Sequence, residues 1–297
     1  MDLTPDNDQI ALQTATSDWC RTNMPLADAR SRRSGLWDEL ESMGWVGMTA
    51  PGMDLDHPTE ALIFAELGRF LAPVALLSSA VAARWTGSGG KVGLAVPGKD
   101  IIRVLDGDSA PRALGLFAAA TGFIKNDPVC QTKPSLDLST SVVHLKADAP
   151  VDPITDPRAA LHLQLLAAAF SVGCADAARD MAADYAQLRQ QFGRPIGWFQ
   201  ALKHICSDMA VRAAVARSQL YYAACTLDAG EADAAFHVAA AKRLADQAAL
   251  DNGRANIQVH GGTGMTDEAV PHLCLKRAHL LQFIAPVEDR ILLADIP

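Results

Sequence analysis

The stretch from Ala159 to Gln258 constrains the fold most: it is rich in alanine, and its breaker clusters fall only at Gly193-Arg194-Pro195 and Asp228-Ala229-Gly230. Segments that long between breakers read as helices rather than strands. A first helix is predicted from Ala159 to about Gln191, a second from near Trp198 to just before Asp228, and a third over roughly 231–258. In the second, Leu202, Cys206, Met209 and Ala213 share one helical face. The stripe Ala234, Val238, Ala241, Ala245 and Ala248 on the third lets neighbouring helices approach closely. After Gly261-Gly262-Thr263-Gly264 a fourth helix is expected to begin near Asp267 or Glu268. Helices joined by short loops predict an antiparallel four-helix bundle over residues 158–297.

Two other textures precede it. Residues 1–86 read as a helical domain. Leu36 to Met43 carries apolar residues at helical spacing, Pro58 suits a helix start with Ala61 to Phe70 following, and Leu76 to Trp85 forms another short helix. The breaker Thr86-Gly87-Ser88-Gly89-Gly90 opens a β region over 87–157, with strand-like runs at Val92–Val96, Ile101–Leu105 and Ser141–Lys146. Asp152-Pro153-Ile154-Thr155-Asp156-Pro157 closes it. The fold class expected is therefore mainly α, with a small β region between two helical domains.

With 34 acidic and 26 basic residues the net charge is −8, and no basic block stands out, which argues against nucleic acid or an anionic membrane as partner. The six cysteines (Cys20, Cys130, Cys174, Cys206, Cys225 and Cys274) are scattered without a CxxC pair, so no metal site is expected. Reduced, buried thiols in a cytoplasmic protein are the expectation. The N-terminal MDLTPDNDQI lacks the features of a secretory signal, and the apolar run Leu165 to Ala175 is too short to span a bilayer.

Two segments carry candidate chemistry. Arg189 to His204 (RQQFGRPIGWFQALKH) puts an arginine at a helix end beside a tight Phe-Gly-Arg-Pro turn. Gln258 to Glu268 (QVHGGTGMTDE) places three glycines between helices. Arginine offers a bidentate fork to phosphate, and glycines let backbone N–H groups approach one. Either segment alone is weak, because a glycine turn between helices is ordinarily a cap.

In this order and separation the two segments, taken as YAQLRQQFGRPIGWFQALKH from Tyr185 and IQVHGGTGMTDE from Ile257, resemble the flavin-handling motifs of the acyl-CoA dehydrogenase family's C-terminal helical bundle. LWDELESMGWVGMTAP (Leu36 to Pro51) and AELGRFLAPVALL (Ala65 to Leu77) are similar to the family's N-terminal helical domain. The resemblance implies an FAD enzyme that introduces an α,β double bond into acyl-CoA thioesters, with FAD shared across a subunit interface. It places Arg189 at the family's diphosphate-binding arginine. Phe192 and Gln200 fall at the aromatic and amide positions of the first motif, and Gln258, Gly261, Gly262 and Gly264 at the glutamine and glycines of the second.

Other family features are missing. The Thr/Ser-Glu-Pro and Gly-Ser-Asp stretches that cradle the flavin ring are not found between Lys91 and Pro150, and the chain is about eighty residues shorter than a complete member. The family's glutamate base would fall at Ile284, Ala285 or Pro286, and the alternative base position, on the first bundle helix, at about Leu163. None can remove a proton. Glu288 aligns with a later surface acid, Glu268 suits a helix start, His162 reads as structural, and His260 shapes the glycine loop. No catalytic residue is therefore expected in this chain. The resemblance implies the accessory subunit of a heteromeric (α2β2) acyl-CoA dehydrogenase, which needs a catalytic partner subunit for acyl-CoA turnover. A self-sufficient homomeric enzyme with an unusual base, or a structural or ligand-binding descendant without redox chemistry, are the alternatives. Stoichiometric FAD in the single chain favours the first; absence of flavin even with the partner favours the second.

Overall fold

A computed structural model describes residues 4–53, 55–118, 120–126, 133 and 135–293. The chain opens with helix α1 (Asn7–Asn23), whose first turn is closed by a capping box: Asp6 accepts from the Gln9 backbone N–H and Gln9 accepts from that of Asp6. Helices α2 (Leu36–Ser42), α3 (His57–Arg69) and α4 (Ala75–Thr86) follow, close to their expected bounds. Pro58 sits in the first turn of α3, and Asp56 caps it by accepting from the Thr59 N–H.

A six-stranded sheet comes next: β1 (Gly93–Pro97), β2 (Ile101–Leu105), β3 (Arg112–Leu116), β4 (Thr121–Lys125), β5 (Val142–Lys146) and β6 (Asp152–Pro153). Its strand order is β5-β2-β1-β3-β4-β6. Among the described residues this is an open sheet, smaller than an eight-stranded barrel, with the last strand only two residues long. Strands β3 and β4 were not legible in the sequence, because RALGL and TGFIK lack β-branched alternation. Gly115 and Gly122 face each other across their ladder, and a Cβ on Gly115 would lie 2.2 Å from the Ala95 carbonyl oxygen. A Cβ on Gly122 would lie 2.6 Å from the Asp152 carbonyl oxygen, so each glycine lets its strand approach the neighbour on its other side, β1 for β3 and β6 for β4.

Helix α5 (Arg158–Leu188) is buried along most of its length. It is long and apolar enough to cross a membrane, yet 89% of its apolar window is buried within the protein. A hairpin of β7 (Gln190–Gln191) and β8 (Arg194–Pro195) leads to α6 (Gln200–Ala229), then α7 (Ala234–His260), α8 (Pro271–Leu281) and α9 (Asp289–Leu292). Two expectations change here. The first helix stops at Leu188 because the tight turn at Phe192-Gly193 pairs the residues on either side of it as strands. The fourth starts at Pro271, because a 3₁₀ turn (Gly261–Met265) consumes the glycine segment and Pro271 takes the first helical turn. The bundle is thus three long helices and one of 11 residues. The predicted stripe on α7, from Ala234 to Ala248, is buried throughout.

The tightest packing is where α3 crosses α5. A Cβ on Gly173 would lie 2.1 Å from the Ala65 carbonyl oxygen and 2.4 Å from the Arg69 nitrogen, and one on Gly68 would lie 2.5 Å from the Phe170 Cα. Backbone, not a yielding side chain, fills both spaces. We expect Gly173→Ala to destabilise the fold by about 3 kcal/mol, near the upper end for overpacking, with thermal unfolding shifted down by several degrees. An unchanged melting curve would mean the two helices are free to part.

Candidate functional site

The two candidate segments meet at the end of the bundle. Arg189 caps α5 through its N–H, which donates to the Tyr185 carbonyl at 2.8 Å. Its side chain is exposed, and among the described residues no carboxylate pairs with it. The following hairpin turns through Phe192 (φ +54°) and Gly193 (φ +76°), the pair of positive φ angles that a type I′ hairpin loop requires. A positive φ suits glycine but strains a bulky phenylalanine. The ring is 87% exposed and touches Phe199 edge-on at 6.0 Å, so packing within this chain does little to hold that strain. Gln200, also exposed, is the first residue of α6.

From the other side, Gln258 is exposed on the last turn of α7, and its carbonyl accepts from the Gly261 N–H. Gly261 adopts φ +61° and ψ −143°, a backbone state open only to glycine. Gly264 is required for a different reason: a Cβ there would lie 2.9 Å from His260 Cβ and from the Ile257 carbonyl oxygen. Gly262 meets no such obstacle. It has no positive φ, and a Cβ would find nothing within 4 Å, so nothing in this chain's own packing calls for glycine.

A stacked pair brings the two segments together. The Tyr185 and His260 rings lie 4.1 Å apart at 23°. His260 Nδ1–H donates to the Asn256 carbonyl at 2.9 Å, which leaves Nε2 as an acceptor, and burial holds the imidazole pKa below its ordinary value. Among the described residues no hydrogen bond joins Arg189 to Gln258 or to the glycines. Sequence reading missed Trp198, which is 63% exposed with Arg194 at 5.2 Å and Lys203 at 5.9 Å from its ring. The alternation of aromatic and basic residues from Phe192 to Lys203 was its only signal. This edge is cationic and aromatic in a chain of net charge −8.

Some distance along α5, the two positions where a base was sought come together. Leu163 and Ile284 are each 1% exposed and Ala285 is 4% exposed. Gln164, next to Leu163, donates from Nε2 to the carbonyl of Ala285 at 3.0 Å and lies 3.4 Å from that of Pro286. Both positions are uncharged. Glu288 borders a cavity of about 480 Å³ together with Pro286, but it is exposed and ion-paired to Arg290.

His162 is fully buried. Its Nε2 lies 2.7 Å from Glu60 Oε2, and Trp85 Nε1–H donates to its Nδ1 at 3.2 Å. His57 completes a buried group whose ligand-type atoms all lie within 4.8 Å. An indole N–H can only donate, so Nδ1 of His162 must accept and its proton sits on Nε2, facing Glu60. A protonated nitrogen is no metal ligand, and the group is a hydrogen-bonded cluster. Burial would push the Glu60 carboxyl up, but His162 and His57 outweigh it and bring its pKa to about 2. Burial keeps the His162 pKa below its ordinary value, partly offset by Glu60. A neutral imidazole bound to its own carboxylate in a dry core is a structural pair.

Among known proteins, the family described as acyl-CoA dehydrogenase, C-terminal domain, matches residues 159–285. A relative in Mycobacterium tuberculosis, acyl-CoA dehydrogenase IpdE2, is 30% identical over 275 residues, which cover 86% of this chain and 83% of the relative. The chain belongs to the acyl-CoA dehydrogenase family. Solved structures share its fold. The ChsE4-ChsE5 complex from Mycobacterium tuberculosis aligns with a TM-score of 0.76 at 21% identity over 95% of this chain and 94% of that one. The FAD complex of PigA aligns at 0.78 and 18% identity, with 98% of each chain covered.

FAD, the cofactor of acyl-CoA dehydrogenases, can be tested against these residues in two parts. An unpaired arginine, an open glycine at 262, a strained exposed phenylalanine and a flat exposed tryptophan fit the diphosphate and adenosine end of such a molecule. The buried, uncharged side chains of Leu163, Ile284 and Ala285 offer nothing to a proton-transfer step.

Proposed function

We propose that this chain acts as the accessory subunit of a heteromeric acyl-CoA dehydrogenase, completing an FAD site whose ring and base belong to a partner subunit. One observation carries the reading. The two positions where the family places its base lie together in space, and neither holds an ionisable group. When bound, FAD supplies the oxidant for forming the α,β double bond of an acyl-CoA thioester. Here Arg189 and the Gly262 end of the turn would hold the diphosphate, the Gly261 N–H being taken by the Gln258 carbonyl, while Phe192, Gln200 and Gln258 would line its approach. Gly264 contributes by shaping the turn. Exposed Leu188, Phe192 and Trp198 at this edge, with Val211 and Val215 exposed further along α6, suit burial against another subunit.

The ChsE4-ChsE5 structure, whose description names two different chains in one complex, supports this reading by its shared fold. Purified alone, the chain is expected to carry little or no FAD, since it supplies one end of the site. Co-purified with its partner it should show a flavin spectrum that an acyl-CoA bleaches. Stoichiometric FAD in the single chain, bleached by an acyl-CoA, would establish the self-sufficient enzyme instead. Glu288→Gln should leave turnover of the complex within about two-fold of wild type, as for a surface substitution. Loss of turnover in that variant, with flavin retained, would give this chain its own base.

A further inference from the structure

His162 sits between two partners whose chemistry fixes where its proton lies. The Trp85 indole N–H donates to Nδ1 at 3.2 Å, and Glu60 Oε2 lies 2.7 Å from Nε2. An indole nitrogen can only donate, and an ionised carboxylate can only accept. The imidazole therefore holds one proton, on Nε2, and keeps a lone pair on Nδ1. A second proton, on Nδ1, would point at the Trp85 N–H. Two donors cannot share that contact, so a protonated His162 and the Trp85 hydrogen bond exclude one another.

Trp85 stands in the last turn of α4, which Gly87 closes at φ +64°. Its hydrogen bond to His162 ties that end of α4 to α5. The indole is half-buried, with the Arg84 and Arg158 guanidinium carbons 5.3 and 5.0 Å from its ring. Arg84 makes a separate tie, donating to the Thr49 carbonyl at 3.0 Å. On the α3 side, Thr49 Oγ1–H donates to Glu60 Oε1 at 3.1 Å, and the His57 ring meets that of His162 edge-on at 4.7 Å. Among the described residues, the charged or titratable groups acting on His162 are Glu60 and His57 from α3 and Arg84 from α4. Glu60 favours a second proton; burial, His57 and Arg84 oppose it. Glu60 itself, with a pKa of about 2, stays ionised through the mildly acid range, so His162 is the member of the pair whose state changes.

We propose that the Trp85–His162 hydrogen bond is a proton-operated latch, closed while His162 is neutral and opened when Nδ1 takes a proton, freeing the end of α4 from α5. Opening keeps the Glu60 contact, now between two full charges, so α3 and α5 stay joined while α4 is let go. The latch is separate from the Arg189 edge and does not depend on the accessory-subunit reading. Its sign follows from burial. The folded pKa of His162 lies below the unfolded value of about 6.5. Stability is therefore full above that pH and is lost as pH falls towards the folded value.

The test follows the full chain from about pH 7.5 to about pH 4.5 by the Trp85 indole N–H resonance, assigned by its absence in Trp85→Phe. In the wild type this resonance should shift in a single step below about pH 6.5, while the circular dichroism spectrum stays that of the folded chain. In His162→Gln it should not move, because the amide accepts from Trp85 and donates to Glu60 at every pH. Denaturant unfolding gives a second readout. Relative to His162→Gln, the wild-type unfolding constant should rise by up to about ten-fold per pH unit below about 6.5. Trp85→Phe removes the competing donor, so its loss of stability in acid should be smaller than that of the wild type. A Trp85 resonance that stays still in the folded wild type overturns the latch, as does a shift that persists in His162→Gln. Equal acid loss in Trp85→Phe and the wild type also overturns it, because burial alone would then account for the histidine. Should His162→Gln fail to fold, this last comparison decides by itself.

Discussion

Arg189→Ala should strip FAD from the assembled enzyme and abolish acyl-CoA dehydrogenation. The guanidinium is exposed at the end of α5 and pairs with no acid among the described residues, so removing it costs the fold little. Losing a hydrogen bond from a charged group to a diphosphate costs about 1.5–3 kcal/mol, or roughly ten- to a hundred-fold in affinity. The variant should therefore keep its melting temperature and its assembly with the partner, while flavin absorbance falls and is restored at high added FAD. Retained flavin at low FAD concentration, with activity intact, would remove Arg189 from the site and with it the main support for a shared cofactor.

Arg277→Met should be the most destabilising change in the chain. Arg277 is fully buried and donates to Asp137, to the Ala72 carbonyl at 2.6 Å, to Ser139 Oγ at 2.8 Å and to Thr140 Oγ1 at 3.1 Å. It ties α8 to the segment before α4 and to the loop that precedes β5. Removing one partner of a buried pair leaves an uncompensated charge and costs about 3–5 kcal/mol. The pH dependence has a definite sign. Burial pushes the Asp137 carboxyl up, but the Arg277 guanidinium and the hydrogen bonds from Ser139 and Arg277 outweigh it, holding the carboxyl below its ordinary range. Its stabilisation in the wild type is present above the unfolded pKa, about 3.9, and is lost as pH falls through the lower folded value. In the variant, burial acts unopposed and the carboxyl pKa rises, so acid favours the folded state. The stability gap between wild type and variant should narrow from pH 7 towards pH 4. A gap that stays constant would mean Asp137 finds another cation.

The long helices were legible because thirty-residue segments such as α5 repeat one pattern many times, and each turn adds evidence. Helix ends were less so. Gln190-Gln191 could extend a helix on propensity alone; the Phe192-Gly193 turn folds it back. The glycines at 261, 262 and 264 look equivalent in sequence and are not. Gly261 answers to its own backbone angles, Gly264 to contact with His260 and Ile257, and Gly262 to neither. His162 stood beside a sought base position with nothing in its neighbourhood to show that Glu60, 102 residues earlier, would accept a hydrogen bond from its Nε2–H.

Composition, periodicity and the two spaced motifs determined by themselves that this chain forms a helical bundle around a small β region and belongs with the acyl-CoA dehydrogenases. These properties depend on local pattern, which a linear chain records directly. Only the tertiary structure decided that Leu163 and the Ile284-Ala285 turn meet through Gln164, that Tyr185 stacks on His260 to bring both motifs to one edge, and that Glu60 and Trp85 close on His162 from two different helices. Each depends on partners far apart in the chain, brought together by the close backbone crossing at Gly68 and Gly173 and by the buried Arg277.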